Sequence, residues 1–199
     1  MISSKYCIVV IQLPKFPLLG RGRWYVENKM YIEQGPKISL AIDKGHNIRP
    51  EIEVFLTRAG FNFQVWENGS LHAVVQDDPY LRSITLNRGG DISYRLNEGV
   101  NEFGAFGRDV LREAQLAHLE IEEAVPLGIS LCRLAVEVPI NSTYRRPEDL
   151  DGMRIATSVP NQTEQFFALT NTRIKIVRYG GGEESAPASG AADAVVAIY

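Results

Sequence analysis

From Lys37 to the end of the chain, apolar runs of strand length alternate with amphipathic stretches of helical period, and this alternation limits the possible folds more than any other feature. Lys37-Ile-Ser-Leu-Ala-Ile-Asp43 reads as a strand. Ile48 to Ala59 then sets Ile52, Phe55 and Leu56 on one helical stripe before Gly60 ends it. Short strands are predicted at Phe61 to Trp66, Leu71 to Gln76, Leu81 to Leu86 and Val100 to Phe106, with helices over Asp91 to Asn97 and from Gly107 through Ala114. Further strands follow at His118 to Val125, Leu131 to Val138, Met153 to Thr157 and Arg173 to Val177. A helical turn is expected at Pro147 to Leu150 and a helix at Pro160 to Leu169, with proline near its start. Such alternation gives a mostly parallel sheet flanked by helices, in which ligands gather beyond the carboxyl ends of the strands.

The last twenty positions place a glycine turn, a helical turn and a buried strand in succession. Gly180 to Gly182 free the backbone, Glu183 and Glu184 suit the positive end of a short helix, and Asp193 introduces the apolar run to Tyr199.

With 199 residues, 45% of them hydrophobic and 23% charged, the composition is that of a globular protein of one large or two small domains. A net charge of −3 with scattered basic residues offers no general attraction for nucleic acid. No apolar run approaches the roughly 18 to 20 residues needed to cross a bilayer. The patch from Cys7 to Leu13 is broken by Pro14, Lys15 and Pro17, so no secretory signal is expected. Cys7 and Cys132 lack metal-type spacing and read as thiols in a reducing cytoplasm. His46, His72 and His118 show no ligand spacing, and no metal-binding cluster of side chains is expected.

Several blocks in order resemble ATP phosphoribosyltransferase, the family that catalyses the first step of histidine biosynthesis. Glu184, Gly190, Ala192 and Val195 fall on the spacing of its signature, with Ala197 where the signature carries Asp. Ala41-Ile-Asp-Lys-Gly-His46 is similar to the opening Ala-Leu-Pro-Lys-Gly-Arg, with Asp43 and His46 in place of Pro and Arg. Arg88-Gly-Gly-Asp-Ile92 resembles Arg-x-Arg-Asp-Ile, and Glu102 to Val110 resembles Asp-Leu-Gly-Ile-Thr-Gly-Arg-Asp. Cys132-Arg-Leu and Arg154-Ile-Ala-Thr-Ser-Val-Pro-Asn161 complete the series.

The resemblance implies two α/β domains similar to the type II periplasmic binding protein fold, at 38–117 and 118–199. Residues 1–37 form an atypical N-terminal extension, or translation begins at Met30. The second domain is expected to be incomplete at its C-terminal end, before the family's Ser/Thr-Gly-x-Thr phosphoribosyl pyrophosphate loop.

The family's reaction moves ribose 5-phosphate from pyrophosphate to N1 of the ATP adenine, with Mg2+ as cofactor. Its catalysis is mainly positioning and electrostatics. Substrate-binding residues implied here are Lys44, Gly45, Arg88, Asp91, Gly104, Gly107, Arg154, Thr157, Glu184 and Asp193; no catalytic residue is assigned.

Each position also has a plainer reading. Lys44 and Gly45 make a solvated turn, Arg88 pairs with Asp91, Gly104 and Gly107 pack strand on helix, Arg154 is a strand-edge charge, Glu184 caps a helix, and Asp193 closes a turn. Three functional classes follow: a phosphoribosyltransferase polypeptide, a nucleotide-binding module without turnover, and a non-catalytic assembly partner of a phosphoribosyltransferase. A homo-oligomer or an accessory subunit in the cytoplasm is expected, with no membrane or nucleic-acid partner.

Overall fold

The computed structural model describes residues 8–12, 37–65 and 71–199, so the expectations at Met30 and Trp66 lie outside the described residues. The described residues form two compact units that part between Leu131 and Cys132. The expected division at 117/118 is therefore displaced. Ile121 joins one core of the first unit, Leu127 and Ile129 pack on another, and Glu122–Pro126 is a strand of its sheet.

The first unit contains strands β1 (Ile8–Gln12), β2 (Ile38–Asp43), β3 (Phe63–Val65), β4 (His72–Val75), β5 (Leu81–Asn87), β6 (Phe103–Gly107) and β7 (Glu122–Pro126). They form one sheet in the order β3-β4-β5-β2-β6-β1-β7. β2 runs parallel to β5 and β6, whereas β1 runs antiparallel to both β6 and β7. β1 was not expected, because its pairing partners lie about a hundred positions away and no local turn announces them.

Among the described residues, three helices cover this sheet: α1 (Arg49–Arg58), α2 (Gly89–Asn97) and α3 (Arg108–Leu116). Each begins with a favourable charge or ring: Pro50 and Glu51 in α1, Asp91 in α2, Asp109 in α3. Ile52 and Leu56 of α1 pack with Leu40, Ile42, Ile84 and Leu86 on one face. Ile92, Leu96, Leu111 and Ala114 of α2 and α3 pack with Ala41 and Phe106 on the other. Burying each large apolar side chain contributes about 1.5–3 kcal/mol, so the period-two pattern of β2 fixes which residue serves which face.

The strand expected at His118 begins only at Glu122. His118 takes φ 64° and its amide donates to Gln115 O at 3.0 Å, so the chain is still closing α3 at that point.

The second unit holds β8 (Leu134–Glu137), β9 (Arg154–Thr157), β10 (Lys175–Arg178) and β11 (Ala194–Ile198), with α4 (Pro160–Leu169) and short 3-10 turns at Pro147–Leu150 and Glu183–Ser185. The sheet order is β10-β9-β11-β8, with β8 antiparallel to β11 and the other pairs parallel. Leu134, Ile155, Phe167 and Val196 fill one face. Ala156, Ala186, Ala192 and Ala197 make a small-residue surface on the other. The expected α/β architecture in two units is thus the one found.

Candidate functional site

In the first unit, β2, β5 and β6 end side by side at Asp43, Asn87 and Gly107. The chain leaves β2 into α1 on one face of the sheet, but leaves β5 and β6 into α2 and α3 on the opposite face. Such a reversal between neighbouring strands opens a crevice beyond their carboxyl ends, which is where open α/β sheets hold ligands.

Lys44, Gly45 and Arg88 come together at this edge. The Lys44 amide donates to Asn87 O at 2.8 Å, which ties the loop after β2 to the end of β5. The side chains of Lys44 and Arg88 are exposed, and neither forms an ion pair with a described residue. Asp91 is exposed in the first turn of α2 and does not pair with Arg88.

Two other cations of this unit are engaged in ion pairs that link separate elements. Arg108 grips Glu123 with contacts of 2.6 to 2.9 Å, and at the opposite edge of the sheet Arg82 holds Glu102 at 2.6 Å. Glu102 also accepts from the Ser39 amide and hydroxyl. Burial works against the charge of Glu102, yet these bonds hold its carboxyl below the usual range.

Two carboxylates form the inner wall. Asp43 Oδ1 accepts from the Gly45 amide at 2.9 Å, and its Oδ2 stands close to Gly89 at the start of α2, 2.7 Å from where a Cβ would be. Burial pushes the Asp43 carboxyl up, against the opposing effect of the Gly45 and Gly89 amides and of Lys44. Asp109, buried in the first turn of α3, is pushed up to about 6, chiefly by burial. Its own amide and that of Val110 oppose the shift, while Asp43 and Glu113 add to it. Asn87, the register partner of Asp43, keeps Oδ1 buried without a hydrogen-bond partner among the described residues.

The glycines divide by role. Gly107 ends β6 and caps α3, where a Cβ would stand 2.1 Å from Asp109 Oδ1, so the carboxylate occupies the space a side chain would need. Gly104 lies inside β6 under α2. A Cβ there would meet Ile92 Cγ2 at 2.7 Å and both Leu96 Cδ1 and Phe106 Cε1 at 2.9 Å. Its lack of a side chain serves close packing, and it does not reach the strand ends.

In the second unit, Thr157 ends β9 and is fully buried. Its Oγ1 accepts from the Val159 amide at 3.1 Å and from Thr163 Oγ1 at 3.2 Å, which shapes the entry to α4. Glu184 is exposed, whereas its neighbour Glu183 is buried and takes the Ser158 Oγ proton donor at 2.7 Å. Glu183 Oε2 is buried with no hydrogen-bond partner among the described residues.

Arg154 and Asp193 face each other at the other edge of this sheet, where β9 and β11 begin. Arg154 Nη2 meets Asp193 Oδ1 at 3.0 Å, Nε meets Oδ2 at 3.2 Å, and Nη1 donates to Gly190 O at 2.9 Å. These two, expected to bind substrate, satisfy one another at the amino ends of the strands, whereas open α/β sheets receive ligands beyond the carboxyl ends.

Asp43, Asp109, Asn87, Ser158 and Glu183 were absent from the expected site. The position of an acid at the end of a strand or the start of a helix was the available signal for Asp43 and Asp109. Nothing local marks Glu183 over Glu184. The described residues contain no group of three or more His, Cys, Asp or Glu placed to hold a metal ion. No described helix is long and apolar enough to cross a membrane.

The family model for ATP phosphoribosyltransferase matches residues 88–199. An ATP phosphoribosyltransferase of Methanopyrus kandleri is 32% identical over 160 residues, covering 80% of this chain and 54% of the relative. That of Rhodopirellula baltica is 35% identical over 141 residues, covering 71% and 45%. That of Nostoc sp. is 30% identical over 165 residues, covering 81% and 74%. The chain therefore spans about half the length of the first two relatives and about three quarters of the third. Among solved structures, the ATP phosphoribosyl transferase (HisG:HisZ) complex from Thermotoga maritima matches with a TM-score of 0.63 at 24% identity, over 81% of this chain and 74% of that one. That match is one of fold.

Proposed function

Because the chain belongs to the ATP phosphoribosyltransferase family, we propose that it transfers the phosphoribosyl group of phosphoribosyl pyrophosphate to N1 of the ATP adenine, the first step of histidine biosynthesis. The family match over residues 88–199 carries this reading, and the unpaired cations at the switch point of the first unit support it. The reaction forms a bond from N1 to the anomeric carbon and breaks the bond from that carbon to the pyrophosphate oxygen. Positive charge gathers on the sugar as negative charge gathers on the leaving group. The chain's part is to hold two polyanions in line, with Lys44 and Arg88 engaging phosphate oxygens at the strand ends.

Mg2+ enters in this reading as part of the polyphosphate substrate complex, since the described residues provide no metal-holding cluster. Glu184, exposed beside the second unit's glycine turn, is proposed to help order substrate there. A cytoplasmic homo-oligomer, or assembly with an accessory subunit, accords with the exposure of Ile140 and Leu169, at 96% and 81%.

Nucleotide binding without turnover is the second reading, and one observation favours it. Ala197, at the signature's acid position, is buried among Ala156, Ala186 and Val195, so no carboxylate stands there. Titration calorimetry with ATP, with and without phosphoribosyl pyrophosphate and Mg2+, followed by assay for phosphoribosyl-ATP, decides between them. Product establishes the transferase, and ATP binding without product establishes the binding module. Neither binding nor product overturns both.

A further inference from the structure

The N-terminus of α2 and the loop after β2 aim backbone amides at one point beyond the sheet, an arrangement that ordinarily receives a phosphate. Here the point is taken. Asp43 Oδ1 accepts from the Gly45 amide at 2.9 Å, and the carboxylate's other oxygen lies close against Gly89 at the start of α2. The glycines are fitted to it: a Cβ on Gly45 would come 3.3 Å from Oδ1, and one on Gly89 would come 2.7 Å from Oδ2. The neighbouring helix is treated alike, because the carboxylate of Asp109, buried in the first turn of α3, fills the space beside Gly107 at the helix start. Both helix starts beside the crevice thus carry a carboxylate of the chain itself, while the unpaired cations Lys44 and Arg88 stand outside them.

We propose that Asp43 is a built-in anion that determines which end of a ligand the first unit accepts. Its carboxylate fills the amide pole of Gly45 and Gly89, excludes phosphate from the floor of the crevice and directs it to Lys44 and Arg88 at the rim. With Asp43 half-buried and Asp109 and Asn87 Oδ1 buried nearby, the strand ends favour hydrogen-bond donors over anions: the amino group of a base or the hydroxyls of a sugar. The assignment of those donors to a nucleotide rests on the function proposed above; the exclusion of anions from the amide pole does not.

The test uses the full chain, with inorganic pyrophosphate and adenosine as probes. In the wild-type background, Lys44→Ala with Arg88→Ala abolishes pyrophosphate binding, whereas adenosine still shifts resonances at the strand ends. Asp43→Ala, which frees the amides, binds pyrophosphate at least tenfold more tightly than the wild type, and Asp43→Asn changes in the same direction by less. Adding Gly89→Pro to Asp43→Ala removes one amide at a helix position that tolerates proline and abolishes the gain. Pyrophosphate binding that survives the Lys44→Ala, Arg88→Ala pair overturns the proposal even if the Asp43 variants unfold. So does a folded Asp43→Ala with unchanged pyrophosphate affinity. Failure of the wild type to bind ATP or adenosine removes the nucleotide reading, while the pyrophosphate comparison still decides the role of Asp43.

Discussion

Arg154 and Asp193 bind each other twice over: their side chains form a two-pronged ion pair, and each backbone amide also finds an acceptor on the other residue. The Arg154 amide donates to Asp193 Oδ2 and the Asp193 amide to Arg154 O, both at 2.8 Å. This couples the start of β9 to the start of β11. The hydrogen bonds from Arg154 hold the Asp193 carboxyl below its ordinary 3.8. A lowered folded value contributes stability that is complete above the unfolded value and is lost as pH falls through the folded one. Asp193→Asn is therefore expected to unfold at lower denaturant at pH 7, with the difference from wild type closing below about pH 3.8. Urea midpoints at pH 7 and pH 3 measure it, and an equal deficit at both contradicts the assignment.

Asp109 has the opposite sign. Its folded value of about 6 lies above the ordinary 3.8, so the folded state holds a proton that the unfolded state has released between those limits. Stability should fall as pH rises from about 4 to 6 and then level off, by an amount on the order of 3 kcal/mol from this group. Asp109→Asn should flatten that part of the stability curve. Denaturant unfolding of both proteins at half-unit steps of pH reads the slope directly, and identical slopes count against the burial argument.

Gly104 separates packing from binding. A methyl group there would press on Ile92, Leu96 and Phe106, and overpacking of this kind costs about 1–3 kcal/mol. Gly104→Ala should lower the melting temperature while the protein that remains folded binds ATP as before. A loss of ATP affinity at unchanged stability would return Gly104 to the binding site.

Local pattern carried much of the architecture. The strand ending at Asp43 and the helix opening at Pro160 were legible because proline, glycine and apolar period agree there. Non-local pairings were not legible: β1 is a strand only because β6 and β7 lie on either side of it. The site was read in part for the same reason. Lys44 and Arg88 follow strand ends that the sequence announces, but the clasp of Arg154 on Asp193 and the burial of Glu183 rather than Glu184 depend on how β9, β10 and β11 are ordered in the sheet. Family spacing placed Arg154 in a matching block, and Asp193 was read as the acid before the last strand, without revealing that both lie where β9 and β11 begin.

Arg88 and Lys44 supply the charge expected to meet phosphate. Arg88→Ala should weaken ATP binding about tenfold, as a charge-assisted hydrogen bond is worth about 1.5–3 kcal/mol, and Lys44→Ala should do so by a similar factor. Arg88→Ala should leave thermal stability unchanged, since its side chain has no ion-pair partner among the described residues, whereas Lys44→Ala gives up only its attraction to Asp43. Adenosine, which lacks phosphate, should bind both variants as it binds the wild type; equal losses for adenosine and ATP would show that the cations act on something other than phosphate.

β7 reaches the rest of its sheet only through β1. Val10 pairs with Ala105 of β6 on one side and Val125 of β7 on the other, so the segment Ile8–Gln12 is an interior strand although it belongs to the N-terminal extension. Proline in an interior strand removes a ladder bond and leaves its partner carbonyl unsatisfied, at a cost of about 1–3 kcal/mol. Val10→Pro should therefore destabilise the first unit, and deletion of residues 1–12 should do more, because it exposes the unpaired edge of β6 and frees β7. Hydrogen exchange supplies the decisive reading. Amides of β6 and of Glu122–Pro126 should lose protection in both variants while those of β9 to β11, in the other unit's sheet, keep theirs. Unchanged protection at β6 and β7 would show that the sheet closes without β1, and the order β6-β1-β7 would have to be abandoned.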